Sequence, residues 1–232
     1  MPENLFVGLD GCKAGWVMVS WSGKADATPR ASIIPDIRTA LDTDATHIGV
    51  DMPIGFPSDR TRSCEALARR YIGPRRSSVF PVPCRDAVMT DDYRDACEIN
   101  TRILGRKFPK QAFMLFPKMR EVDAAITPQS QSRVFEIHPE VAFCAMNNGY
   151  AVQHAKKTAD GAALRRALLM AGGFPLARLQ HPQWKKSQAA DDDILDACAC
   201  AWSACRIASG HNIVFPAIPE LDARGLRMEI NA

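Results

Sequence analysis

The sequence predicts an α/β fold. Its sheet is mixed, with three leading antiparallel strands and later parallel additions, flanked by helices and interrupted by a mainly helical insertion at about 56–133. Three observations carry this. The apolar run LFVGLD (5–10) ends on an acid and passes through a turn with a glycine at each end into a second β-rich run, WVMVSW (16–21), which makes a hairpin. A second acid-ended run, HIGVD (47–51), is stopped by Met52-Pro53 and Gly55. The stretch between it and VFEIHPE (134–140) has helical patterning and a different charge balance.

In chain order, the opening hairpin argues against dinucleotide- and mononucleotide-binding folds, which place a helix after the first strand, and the glycine spacing fits neither of their fingerprints. ASII (31–34) supplies a third strand after the loop at 25–29, and a short helix follows around 35–42. Within the insertion, amphipathic patterns predict helices at 61–72, 91–105 and 118–126, separated by the Pro/Ser/Arg loop 73–85. VFEIHPE reads as a buried strand entering a turn, with Pro139 suited to the first position of a helix. A helix at 160–171 ends at Gly172-Gly173, and a last helix runs from about 191 to 208 and stops at Gly210. The order β-β-β-α-β, insertion, β-α-α is the ribonuclease-H arrangement, and the 232 residues suit one such domain across 1–232. Actin- and sugar-kinase-like folds share the strand order but need two such domains, which this length does not hold.

With 47% hydrophobic and 24% charged residues the chain can build a core, and a formal charge of +3 does not by itself identify a nucleic-acid binder. No apolar run approaches the roughly 18 residues of a membrane span, and MPENLFVGLD lacks the features of a signal peptide, so a cytoplasmic protein is expected. Eight cysteines occur without a CxxC pair; reduced, mostly buried thiols are expected rather than a metal site or disulfides.

The chemistry is predicted by acids. Asp10, Asp51 and Glu136 each fall at the end of an apolar strand, and adjacent strands lie about 4.8 Å apart, so carboxylates at the same strand ends would crowd. Such crowding is repulsive unless a proton or cation intervenes, and carboxylate oxygens suit a hard divalent ion. In the last helix, Asp193 and Asp196 are three apart and share a face, and the small residues after them allow close packing on the sheet. Asp191 and Asp192 are explained by capping and the helix dipole alone. Taken singly, Asp10 could serve only its turn and Asp51 only the chain reversal before Pro53. Together with Glu136, Asp193 and Asp196 they are expected to be catalytic and to bind Mg²⁺ or Mn²⁺. Two such ions about 3.5–4 Å apart would support in-line phosphoryl displacement.

Residues 56–133 hold 15 basic and 9 acidic residues, a net of +6, whereas the remainder is net −3. Arg75, Arg76 and Arg85, around Ser77, Ser78 and Phe80, are expected to grip phosphate and offer one aromatic for stacking. Lys13, in the first turn, could reach a phosphate. His138 would face the same way as Glu136 and contact substrate or tune a carboxylate, or else cap the helix at Pro139.

VGLDGCKAGW, GVDMPIGFP, GPRRSSVFPVP, FEIHPEVAF and DDDILDACACA together resemble the family catalogued as domain of unknown function 429, described as predicted nucleases with a ribonuclease-H-like fold. The resemblance spans nearly the whole chain. The Asp193-x-x-Asp196-Ala segment is also similar to the terminal helix motif of bacterial Holliday-junction resolvases. The resemblance implies Asp10, Asp51, Glu136, Asp193 and Asp196 as metal ligands, although an acid on the fifth strand departs from the resolvase pattern. The expected function is therefore a metal-dependent nuclease or phosphodiesterase acting on nucleic acid or a nucleotide, with a homodimer possible. The alternative is a non-catalytic nucleic-acid or nucleotide binding module holding a structural cation.

Overall fold

The computed structural model describes residues 4–232. The first strands, β1 (Phe6–Cys12), β2 (Gly15–Trp21) and β3 (Arg30–Ile34), form an antiparallel meander. Asp36 caps the short helix α1 (Ile37–Leu41) by accepting from Thr39 N at 3.0 Å. The chain then returns as β4 (His47–Asp51), parallel to β1. The segment up to the next strand carries α2 (Ser63–Tyr71), a 3-10 turn at Gly73–Ser78, α3 (Arg85–Val88), α4 (Tyr93–Leu104), α5 (Lys110–Phe113) and α6 (Phe116–Ala125). Strand β5 (Val134–Glu136) pairs in parallel with β4 and leads into α7 (Pro139–Met146), α8 (Ala159–Ala171) and α9 (Asp191–Ala208). A hairpin of β6 (Val214–Leu221) and β7 (Arg227–Asn231) closes the chain.

The five-stranded sheet has the order β3-β2-β1-β4-β5, with the first three strands antiparallel and the last three parallel. Side-chain alternation divides its residues between two cores. Val7, Leu9, Trp16, Ile48 and Val50 pack with helices of the insertion, through Ala87, Ala96, Phe116, Met119 and Val122. Val17, Val19 and Trp21 pack on the opposite face with α7, α8 and α9. The insertion thus shares a core with the sheet. Glu121 of α6 fastens it further, accepting from the Trp16 indole at 2.8 Å and from Ile37 N at 2.7 Å.

The predicted helices and the first four strands lie within two residues of their expected bounds. VFEIHPE is shorter as a strand than expected, because Pro139 starts α7 only three residues after Glu136. The loop 73–85 contains a 3-10 turn, and α3, α5 and the β6–β7 hairpin were not expected. Strand β6 (VFPAIPEL) holds two prolines, which cannot donate to a ladder, and its register shifts between Phe215 and Glu220. All eight cysteines are free, and six are buried. No helix among the described residues is long and apolar enough to cross a membrane.

A buried carboxylate cluster as the candidate functional site

Register and glycine place the acids. Asp10 on β1 is the parallel partner of Asp51 on β4, and two residues earlier Gly8 partners Gly49. These four positions therefore share one face of the sheet. Helix α9 crosses that face at the glycines: a Cβ on Gly8 would lie 2.0 Å from Ala197 O, and one on Gly49 2.5 Å from Cys200 O. The small residues of α9 complete this close approach. Asp196, just before them, is thereby lowered onto the ends of β1 and β4.

The result is three carboxylates whose nearest ligand oxygens all lie within 4.8 Å of one another: Asp10, Asp51 and Asp196. Asp10 and Asp196 are buried, at 8% and 2% exposure, and Asp51 is half-buried. Burial, with Asp51 and Asp196 adding to it, holds Asp10 well above the ordinary carboxylate range. Burial raises Asp51 to about 6, against the opposing pull of Lys156 and of a hydrogen bond with Asp10. Asp196 is pushed up to about 7, again chiefly by burial. A cluster of this kind retains protons near neutrality unless a cation takes their place.

One cation is built in. Lys156 Nζ lies 2.6 Å from Asp196 Oδ2 and 3.5 Å from Asp192 Oδ2, and the carboxylates raise its pKa although burial opposes this. The cluster lies in a cleft of about 420 Å³ whose other wall comes from the insertion and from α7. Arg75, Ser78 and Phe80 line that wall, with Glu140 and His138 beside them. Glu140 pairs with the buried Arg165 at 2.5 Å and with Arg75 at 3.5 Å. His138 Nε2 lies 3.2 Å from the Ser78 carbonyl, so it carries the proton of a neutral ring, and burial lowers the ring's pKa. Its Nδ1 is then an acceptor, buried and without a hydrogen-bond partner among the described residues.

The other expected site residues are distributed differently. Glu136 is in register with Val50, not Asp51, so its side chain leaves the opposite face of the sheet from Asp10 and Asp51. Both its oxygens accept from Arg62 Nη2 at 2.8 Å, and Oε2 also accepts from Ile54 N at 2.7 Å. Glu136 borders the cleft but is not among the converging carboxylates, and it anchors a buried arginine and the chain after β4. Asp193 lines the cleft, but one oxygen accepts from Ala190 N at 2.8 Å, so it caps α9 as well. Arg85 turns away from the cleft to Asp123 at 2.8 Å and Asp222 at 2.5 Å, tying the insertion to the C-terminal hairpin. Of the three loop arginines, Arg75 alone lines the cleft; Arg76 and Lys13 are exposed outside it. His138 makes no capping bond to α7 and faces Ser78 instead, since β5 ends two residues before it.

Lys156 and Glu140 were not anticipated. Lys156 lies in the irregular segment between α7 and α8, where a Lys-Lys pair reads as ordinary solvated charge. Glu140 follows Pro139 in the first turn of α7, where an acid is explained by the helix dipole alone.

Fold and site together define an α/β protein with a mixed five-stranded sheet and a buried acidic cluster able to bind a metal ion. The chain belongs to the family described as protein of unknown function (DUF429), whose model matches residues 8–221. No curated protein and no solved structure matches it.

Proposed function

We propose that this chain is a divalent-cation-dependent phosphodiesterase of the nuclease type, built on a ribonuclease-H-like fold. The observation that carries the reading is the convergence of Asp10, Asp51 and Asp196 at the ends of two central parallel strands and one crossing helix. The strand order β3-β2-β1-β4-β5 supports the fold assignment. The donors are all hard oxygens, partly buried and incompletely compensated, which fits Mg²⁺ or Mn²⁺.

In this reading Asp10, Asp51 and Asp196 hold the cation, and Asp193 borders it from the first turn of α9. When bound, the ion supplies Lewis-acid polarisation of a phosphoryl oxygen and a lowered pKa for water. Arg75 is placed to pair with a phosphate oxygen of a nucleic acid or nucleotide, and Phe80 offers an apolar face beside it. His138 Nδ1 offers an acceptor for a hydroxyl or water proton within the same cleft. The net charge of +6 over residues 56–133 favours the approach of a polyanion.

A second reading, a non-catalytic nucleotide or nucleic-acid binding module with a structural cation, draws support from Lys156, which already compensates Asp196 internally. Cleavage of mixed labelled oligonucleotides and of a small phosphodiester, with Mg²⁺ or Mn²⁺, separates the two. The phosphodiesterase reading expects metal-dependent cleavage by the wild type and its loss in a folded Asp10→Asn variant. Metal binding with no cleavage of any of these substrates would favour the binding module.

A further inference from the structure

Within the metal-dependent reading, on which this rests, we propose that Lys156 fills one of the two cation positions of the carboxylate cluster, so that the site takes a single divalent ion. The arrangement departs from the two-ion site expected from the sequence.

Charge and the oxygen that Lys156 occupies are together the first support. Asp10, Asp51 and Asp196 bring three negative charges when ionised, and Lys156 returns one at 2.6 Å from Asp196 Oδ2. Among these three the remainder is two, which one divalent ion neutralises; Asp193 at the edge of the cleft and Asp192, 3.5 Å from Lys156 Nζ, add acid beside them, so the ion count turns on which oxygens are free. Glu140 does not alter this balance, because Arg165 and Arg75 compensate it. A second ion on Asp196 Oδ2 would contend for the oxygen that already accepts from the ammonium, against direct charge repulsion.

Lys156 is also held in place. Arg165, itself 1% exposed, donates to His154 O at 3.1 Å and to Glu140 Oε1 at 2.5 Å, fixing the loop to the cleft wall. The next carbonyl, Ala155 O, accepts from Thr158 N at 3.0 Å and from Thr158 Oγ1 at 2.8 Å. Gly161 lets this turn lie against α8: a Cβ there would come within 1.9 Å of Ala155 O. The ammonium is therefore presented from a backbone anchored on both sides. The independent sign of a ligand is Glu140 Oε2. It belongs to a side chain only 7% exposed, lines the same cleft, and has no hydrogen-bond partner among the described residues. The charge of Glu140 is paired through Oε1, so the open Oε2 calls for a hydrogen-bond donor, such as water held on an ion.

The test is to count Mn²⁺ bound per chain by titration calorimetry and electron paramagnetic resonance, on wild type, Lys156→Met and Lys156→Arg, with folding checked by circular dichroism. The expected counts are one, two and one, with the Met variant binding its first ion at least about tenfold more tightly because a repelling charge is gone. A wild-type count of two overturns the assignment of Lys156 while leaving a metal-dependent enzyme intact. A count of one in both wild type and a folded Lys156→Met also overturns it. Absence of binding to every form removes the metal-dependent reading itself, and this inference with it. Should Lys156→Met fail to fold, Lys156→Gln replaces it, and the wild-type count still decides against the assignment if it is two.

Discussion

Asp10 and Asp51 face each other across adjacent parallel strands under a helix, a geometry in which two ionised carboxylates repel at close range. Their raised pKa values have a consequence for stability. An unfolded chain releases these protons near the ordinary value of 3.8, whereas folded Asp51 and Asp196 hold them until about 6 and 7. Between those limits the native state binds more protons, so the contribution of these groups is most favourable below about pH 4 and declines as pH rises through 6–7. Metal-free protein is thus expected to gain on the order of 1–3 kcal/mol at pH 8 from Asp51→Asn, measured by urea unfolding, with little gain at pH 4. Burial raises Glu136 as well, to about 7 against the pull of Arg62, but the effect of removing it should be opposite, because a buried arginine depends on it. Its removal leaves buried Arg62 with Glu65 as its remaining carboxylate partner, and Glu136→Ala should cost about 3–5 kcal/mol without loosening metal binding. A drop in Mn²⁺ affinity for Glu136→Ala as large as that for Asp10→Asn would restore Glu136 to the ligand set.

At the scale of elements, the site depends on how closely α9 can lie on the sheet. Gly8 and Gly49 stand side by side beneath Ala197, Cys200 and Ala201, and there is no space for even a methyl group at either position. Gly8→Ala and Gly49→Ala are each expected to cost about 1–3 kcal/mol of stability, or more, in thermal or urea unfolding. They should also weaken metal binding, because relief of the clash lifts Asp196 away from Asp10 and Asp51. Full stability in both variants would mean that α9 does not pack as described. Much of this was legible in the sequence: acid-ended apolar runs marked β1 and β4, and Asp193-Ile-Leu-Asp196 before small residues marked a helix made for close packing. Glu136 was misjudged because a strand's face is set by its register, and one position decides whether an acid joins Asp51 or points the other way. The β6–β7 hairpin left little trace, since its prolines conceal a strand.

Across the whole molecule, the charge asymmetry was visible in the sequence, yet its distribution was not. Of the insertion's basic residues, Arg75 lines the cleft, while Arg62 and Arg85 are spent on pairing with Glu136, Asp123 and Asp222. Sequence counts charges without saying which are already neutralised, and for the same reason Lys156, 40 residues from Asp196 in the chain, gave no signal. Under the proposed function, a phosphodiester substrate would be gripped mainly by Arg75. Arg75→Ala should lower affinity for a phosphodiester substrate by about tenfold, as 1.4 kcal/mol per lost charged contact implies, with stability largely kept; binding assays at fixed salt check this. Unchanged affinity would remove Arg75 from the substrate contacts.

The most direct test of the central claim is anomalous diffraction from crystals soaked in millimolar Mn²⁺. The expected result is a peak bound by oxygens of Asp10, Asp51 and Asp196 at the ends of β1 and β4 beneath α9. A fully soaked crystal with no peak at that cluster, or with Mn²⁺ bound elsewhere instead, would contradict it.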